Sequence, residues 1–131
     1  MAESFVNIGI VPGDGGAWFL QRLVGQQRAA ERCFTGAIRE RIRGFGAWAR
    51  SRRDESGKTD DSCYRVGPFD RGEAATGLRL TKRLMKSAQG MEFPEFLDMC
   101  AAFQGMCHNT QDHLEAVGAM LEKRRPQFVG R

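Results

Sequence analysis

Leucine is missing from residues 37–75 of this 131-residue chain, where Ile38, Ile42 and Val66 are the only large aliphatic side chains. The other 92 residues hold 21 of the isoleucine, leucine, valine and methionine residues. Burial of apolar surface stabilises by about 25 cal/mol per Å², so a stretch this poor in it builds no core of its own. A long hydrophobic run is missing too: Ser4–Leu20 is interrupted by Gly9, Pro12, Gly13, Asp14, Gly15 and Gly16. That excludes a membrane span there, which needs about 20 mostly apolar residues. No basic segment precedes the first apolar residues and no small-residue cleavage site follows them, so no secretory signal is read. Without an export signal, Cys33, Cys63, Cys100 and Cys107 are expected to be reduced thiols of a cytoplasmic protein.

A composition of 41% hydrophobic and 27% charged residues suits a soluble globular chain of one small domain. The formal net charge of +4 raises nucleic acid as a partner. Eight of the sixteen arginines, however, lie in residues 37–75, interleaved with Glu40, Asp54, Glu55, Asp60, Asp61, Asp70 and Glu73. A phosphate-tracking arm needs an uncompensated basic stripe, and Trp48 and Tyr64 are too isolated for a base-stacking platform. No nucleic acid and no membrane is expected as partner. The chain divides into an ordered start (1–36), an Arg/Gly/Ser-rich middle (37–76) expected to be disordered, and a helical end (77–131).

At the start, Phe5, Val6, Ile8, Ile10 and Val11 fit a short buried strand. Pro12-Gly13-Asp14-Gly15-Gly16 breaks it sharply. Trp18, Phe19, Leu20, Leu23 and Val24 then suit one face of a helix ended by Gly25, and a second helical stretch runs from Gln26 to Cys33. Strand, glycine turn and helix together aim backbone N–H groups at whatever occupies the turn. A phosphate loop would need Lys-Ser/Thr after the glycines, where Ala17-Trp18 stand. Asp14 has two readings: an N-cap for the helix, or a catalytic carboxylate.

At the end, Leu78, Thr81, Leu84, Met85 and Ala88 share one helical face, with Lys82, Arg83 and Lys86 opposite. Pro94 suits the first position of a second helix reaching Cys107. Thr110 caps a third, in which Leu114, Val117, Met120 and Leu121 provide the apolar side until Pro126. Met85, Met99, Met106 and Met120 read as core fillers, and His113 as a surface residue. Cys100, Cys107, His108 and His113 lack the paired spacing of a structural zinc site, so no metal is expected.

The run from Phe5 through Pro12-Gly13-Asp14-Gly15-Gly16, followed by Leu20-Gln21-Arg22-Leu23-Val24-Gly25, Ala29-Ala30-Glu31 and Phe34-Thr35-Gly36, resembles the enoyl-CoA hydratase/isomerase (crotonase) superfamily. Leu78–Leu84 and the stretch from Thr110 through Leu121-Glu122-Lys123-Arg124 to Pro126 and Phe128 are similar to its last helices. The resemblance implies an α/β crotonase-type spiral fold, of which this chain would be a C-terminal part, mainly α-helical with one or two short strands. It implies acyl-CoA thioester chemistry through an enolate-like state (hydration, isomerisation or β-diketone cleavage), with CoA as part of the substrate and no separate cofactor. The family's two oxyanion N–H donors would lie upstream of Glu3.

Residue by residue, the hydratase glutamate seven positions before the turn proline falls on Phe5, which transfers no proton. Asp14, in Pro-Gly-Asp-Gly, is similar to the acidic turn residue of another branch and becomes the catalytic candidate. Glu3 lies two residues from Phe5, which along a strand places it about 7 Å away. Phe5, Gly13 and Trp18 around the turn, with Met120 and Lys123 on the last helix, match substrate-binding positions. Lys123 has a second reading, as a cation complementing the helix C-terminus. The family also implies trimer contacts through the last helices, and an alternative function as a non-catalytic fragment joining homo- or hetero-trimers of related subunits. The middle, Gly44-Phe45-Gly46-Ala47-Trp48-Ala49-Arg50 above all, reads as an out-of-frame translation bounded by two compensating shifts.

Overall fold

The computed structural model describes residues 3–36 and 74–131, and the expectations for the middle of the chain lie outside them. The described residues form a 3-10 helix, Ser4–Ile8, and five α-helices: α1 Gly16–Val24, α2 Gln26–Thr35, α3 Ala75–Ser87, α4 Phe93–His108 and α5 Gln111–Leu121. The mainly helical character matches the expectation; the strand does not. Strand N–H and C=O groups need a paired neighbour, and no strand exists among the described residues. Ser4–Ile8 instead closes its bonds locally, the Gly9 N–H donating to Val6 O (3.0 Å) and the Ile10 N–H to Phe5 O (3.1 Å). Gly9 permits this with φ 73°, a left-handed value that a side chain would disfavour.

Gly25 ends α1 and opens α2, so the two pack closely and together cover α3. Val11, Ala17, Leu20, Ala29 and Cys33 from this half meet Leu84, Ala88, Phe96, Cys100 and Cys107 from the other in one core. The α3 face is as the 3.6-residue period predicts, with Leu78, Thr81, Leu84, Met85 and Ala88 all buried. Pro94 falls at the second position of α4 rather than the first, where its missing N–H still costs no helical bond.

Helix α5 corrects a larger part of the reading. Thr110 caps it, its Oγ1 accepting from the His113 N–H at 3.2 Å. Its buried face, however, is Asp112, His113, Ala116 and Ala119, while Leu114, Met120 and Leu121 are 65%, 61% and 76% exposed. Small and polar side chains let α5 approach the 3-10 helix closely: a Cβ on Gly9 would stand 3.2 Å from the His113 backbone. His113 is therefore buried, its Nδ1 2.8 Å from Ile8 O, and not the surface residue expected. Met106 and Met120 are likewise exposed rather than core fillers, whereas Met85 is buried. Asp112 fastens the C-terminal segment, accepting from the Val129 N–H (2.7 Å) and the Gly130 N–H (3.0 Å). No helix among the described residues is long and apolar enough to cross a membrane.

Candidate active site at the glycine turn

Val11 and Pro12 are buried, so the chain leaves the core and turns at once through Gly13–Gly16 into α1. Gly15 occupies the cap position with φ 84°. Asp14, one residue earlier, supplies the cap bond: its Oδ1 accepts from the Gly16 N–H at 2.8 Å. The side chain is exposed, and Oδ2 takes no hydrogen bond among the described residues. The cap reading of Asp14 is the one this geometry shows. One oxygen anchors the carboxylate at the positive end of the helix, and the other faces outward.

Glu3, set aside in the sequence, stands behind the same helix end. It is 3% exposed, and an ideal Cβ on Gly16 would lie 2.6 Å from both of its carboxylate oxygens. Only a glycine admits that approach. Glu3 Oε2 has no hydrogen-bond partner. Burial pushes its carboxyl up from 4.5 to about 7, the negative charge of Asp14 adds to the rise, and Arg32 opposes it. No local pattern in the sequence signals this contact, since Gly16 lies thirteen residues on and a strand would carry Glu3 away, whereas the observed turn folds it back.

Thiols close the site from below. Burial, then Glu3 and Asp14, push Cys33 up to about 12, and burial with Asp14 pushes Cys100 up to about 11. Cys100 Sγ lies 3.9 Å from Pro12 O, and Cys107 is raised by burial as well. Thiols held neutral in this way serve as packing rather than as nucleophiles. Cys63 lies outside the described residues.

An aromatic wall flanks the turn. Trp18, Phe19 and Phe93 pack with ring centroids 4.8–5.1 Å apart, and a Cβ on Gly15 would stand 3.0 Å from Phe93 Cε2. Trp18 is itself engaged, its Nε1–H donating to Met91 O (3.3 Å) and the Arg22 guanidinium lying 3.4 Å over its ring. Gly13 faces the Gln104 side chain, and Phe5 is half-buried in the 3-10 helix.

Met120 and Lys123 are not gathered with these residues; both are exposed at the far end of α5, which packs on the 3-10 helix and α4. Lys123 adopts φ 55° just past the helix, where glycine is the usual occupant. The turn is closed by the Lys123 N–H to Met120 O (3.3 Å) and the Arg124 N–H to Ala119 O (2.9 Å). Arg124 pairs with Glu115 and Glu122, and its hydrogen bonds hold the Glu115 carboxyl down to about 2. Lys123 has no ion-pair partner among the described residues.

Several curated proteins match this chain almost end to end. It is 28% identical over 130 residues to the 1,2-epoxyphenylacetyl-CoA isomerase of Escherichia coli, covering 98% of this chain and 49% of the relative. It is 26% identical over 129 residues to the trans-2-decenoyl-[acyl-carrier-protein] isomerase of Streptococcus mutans, with the same coverage of each. Against human enoyl-CoA hydratase domain-containing protein 2, mitochondrial, the identity is 32% over 133 residues, covering 94% of this chain and 44% of that protein. The chain belongs to the enoyl-CoA hydratase/isomerase superfamily. It spans about half the length of the curated relatives it matches. No family model matches, and no solved structure matches. Among the described residues, no group of three His, Cys, Asp or Glu side chains could hold a metal ion.

Proposed function

We propose that the chain acts on acyl-CoA thioesters as an isomerase, with Asp14 as the acid/base. The observation that carries this is the Asp14 carboxylate, anchored through Oδ1 on Gly16 with Oδ2 exposed and uncommitted. Isomerisation needs one such group. The C–H bond next to the acyl unsaturation breaks, its proton passes to Oδ2, and its electron pair moves into the thioester as an enolate. The same proton then returns at another carbon of the conjugated system, so the carboxylate is regenerated. With Phe5 where hydratases carry a glutamate, one acid/base fits isomerisation better than the addition of water. The aromatic wall beside the turn supplies an apolar flank for the acyl chain, and Phe5 and Gly13 are assigned as its further contacts. CoA enters only as part of the substrate. Lys123, exposed and held in a left-handed conformation, is the cation assigned to a CoA phosphate.

The test is exchange of the substrate's acidic C–H protons in deuterated water, together with conversion of a 3-enoyl-CoA to the 2-enoyl form. Asp14→Asn is expected to lower both by about 100-fold or more, the usual contribution of a positioned acid/base. Exchange at the wild-type rate in Asp14→Asn, or none in the wild-type chain, overturns the assignment.

A second reading, association with other superfamily subunits in trimers, rests on the exposed Leu114, Met120 and Leu121 of α5. Such a stripe is ordinarily covered by a partner. Light scattering on the chain alone and mixed with a full-length relative tests it. A strictly monomeric chain that ignores the relative excludes the interaction role.

A further inference from the structure

Two carboxyl groups converge on one helix end, and the isomerase reading uses only one. Asp14 Oδ1 is hydrogen-bonded to the Gly16 N–H, while Glu3 sits over the Cα of the same glycine, 3% exposed and with Oε2 unpartnered. A buried carboxylate without a hydrogen-bond partner is costly, and a neutral carboxyl is far less so. The N-terminus of α1 supplies roughly half a positive charge, enough to favour one anion and not two. Of the pair, Asp14 has the amide bond and the solvent, so Asp14 takes the charge and Glu3 the proton.

We propose that Glu3 is a positioning residue for the Asp14 base: its buried carboxyl shares the end of α1 with Asp14 and restricts that site to a single negative charge during proton abstraction. The inference rests on the reading of Asp14 as acid/base and adds what sets its working range. While Glu3 is neutral, Asp14 is the lone anion at the helix end and accepts the substrate's proton. Once Glu3 ionises, two carboxylates face each other there, and the enolate formed on the substrate would add a third negative charge. Turnover should therefore fall on the alkaline side as Glu3 loses its proton.

The groups acting on Glu3 agree with this. Burial and the charge of Asp14 push its carboxyl up to about 7, and Arg32 on α2 works the other way. Cys33 on α2 is raised far above neutrality and contributes no charge. Cys100 on α4, raised to about 11, adds none from the other side. The residues of the 3-10 helix, Ser4–Ile8, carry no titratable side chain.

The pairing is tested by carbon-13 carboxyl titration of the uniformly labelled chain, which needs no turnover. Glu3 is expected to titrate near 7 in the wild-type chain. In Asp14→Asn, an exchange at an exposed residue, its midpoint should drop by about one pH unit as the neighbouring charge is removed. A Glu3 midpoint between 4 and 5, or one unmoved in Asp14→Asn, overturns the proposal. In the exchange assay, Glu3→Gln should keep the acid limb of the pH–rate profile and lose the alkaline one; an unchanged profile also overturns the proposal. A chain that exchanges no proton while the Glu3 midpoint lies near 7 and drops in Asp14→Asn overturns the isomerase reading separately from the pairing.

Discussion

Glu3 lies so close to the Cα of Gly16 that a methyl group there would meet both carboxylate oxygens at 2.6 Å. In an ordinary helix, replacing glycine by alanine gains about 0.5–1 kcal/mol of backbone entropy. At Gly16 the clash should override that gain, and Gly16→Ala is expected to destabilise the chain by about 1–3 kcal/mol, the usual cost of overpacking. Gly105, exposed within α4 with nothing near its Cα, is the internal control, and Gly105→Ala should stabilise. Urea midpoints of the two variants and of Glu3→Ala/Gly16→Ala check the cause. Removing the Glu3 side chain should make alanine at position 16 tolerable, and a double variant as unstable as Gly16→Ala alone would show that Glu3 is not what Gly16 accommodates.

Stability should depend on pH through Glu3. Its carboxyl titrates at about 7 in the folded chain against an ordinary 4.5, so between those values the folded state keeps a proton that the unfolded state has released. Stability contributed by the neutral carboxyl is thus complete at pH values below about 4.5 and declines as pH rises through 7. A displacement of this size corresponds to about 3 kcal/mol as an upper figure. Glu3→Gln removes the titration while keeping the shape. It should match the wild type near pH 4.5 and exceed it in stability at pH 8. Equal pH dependence in the two proteins would mean that Glu3 is solvated and ionised in the fold.

Lys123 offers a trade between stability and binding. Its φ of 55° costs a residue with a Cβ about 1–2 kcal/mol, and glycine avoids that cost. Lys123→Gly is therefore expected to raise stability by about 1 kcal/mol, while weakening CoA binding if the ammonium meets a phosphate. Thermal unfolding and calorimetric titration with CoA measure the two effects on the same variant. A stabilised variant with unchanged CoA affinity would leave Lys123 as a helix-end residue only.

What the sequence made legible follows from which forces are local. The helix faces of α3, the Thr110 cap and the break at Gly25 depend on residues within one or two turns, and each is where the pattern puts it. The cap bond of Asp14 is readable as well, because the turn composition sets an acidic residue at the start of α1. The missed elements depend on distant partners. The apolar run Phe5–Val11 is compatible with a strand, and the lack of a pairing strand among the described residues turns its start into a 3-10 helix. Helix α5 was read by its largest side chains, yet close approach to Gly9 selects Ala116, Ala119 and His113 for the inner face. Glu3 was missed for the same reason. Its role depends on a contact with Gly16, thirteen residues on, that no local period encodes.

His113 should be the histidine that holds the 3-10 helix to α5. Its Nδ1 lies 2.8 Å from Ile8 O, a group that only accepts, so the network assigns the proton to Nδ1. Its Nε2 is then an acceptor, and His108 Nδ1, 3.0 Å away, donates to it. The buried ring thus has both nitrogens satisfied, while His108 reaches it from the exposed end of α4. Removing His113 leaves the partly buried Ile8 carbonyl without this bond and opens a cavity beside Gly9, a combination expected to cost about 2–4 kcal/mol. Removing His108 costs one partly exposed bond whose acceptor can turn to water, about 0.5–1 kcal/mol. Urea unfolding of His113→Ala and His108→Ala measures the difference, and amide exchange at Gly9 and Ile10, whose N–H groups close the 3-10 turn, locates it. If His108→Ala proves the more damaging, the pair is held from α4 and not from the Ile8 carbonyl.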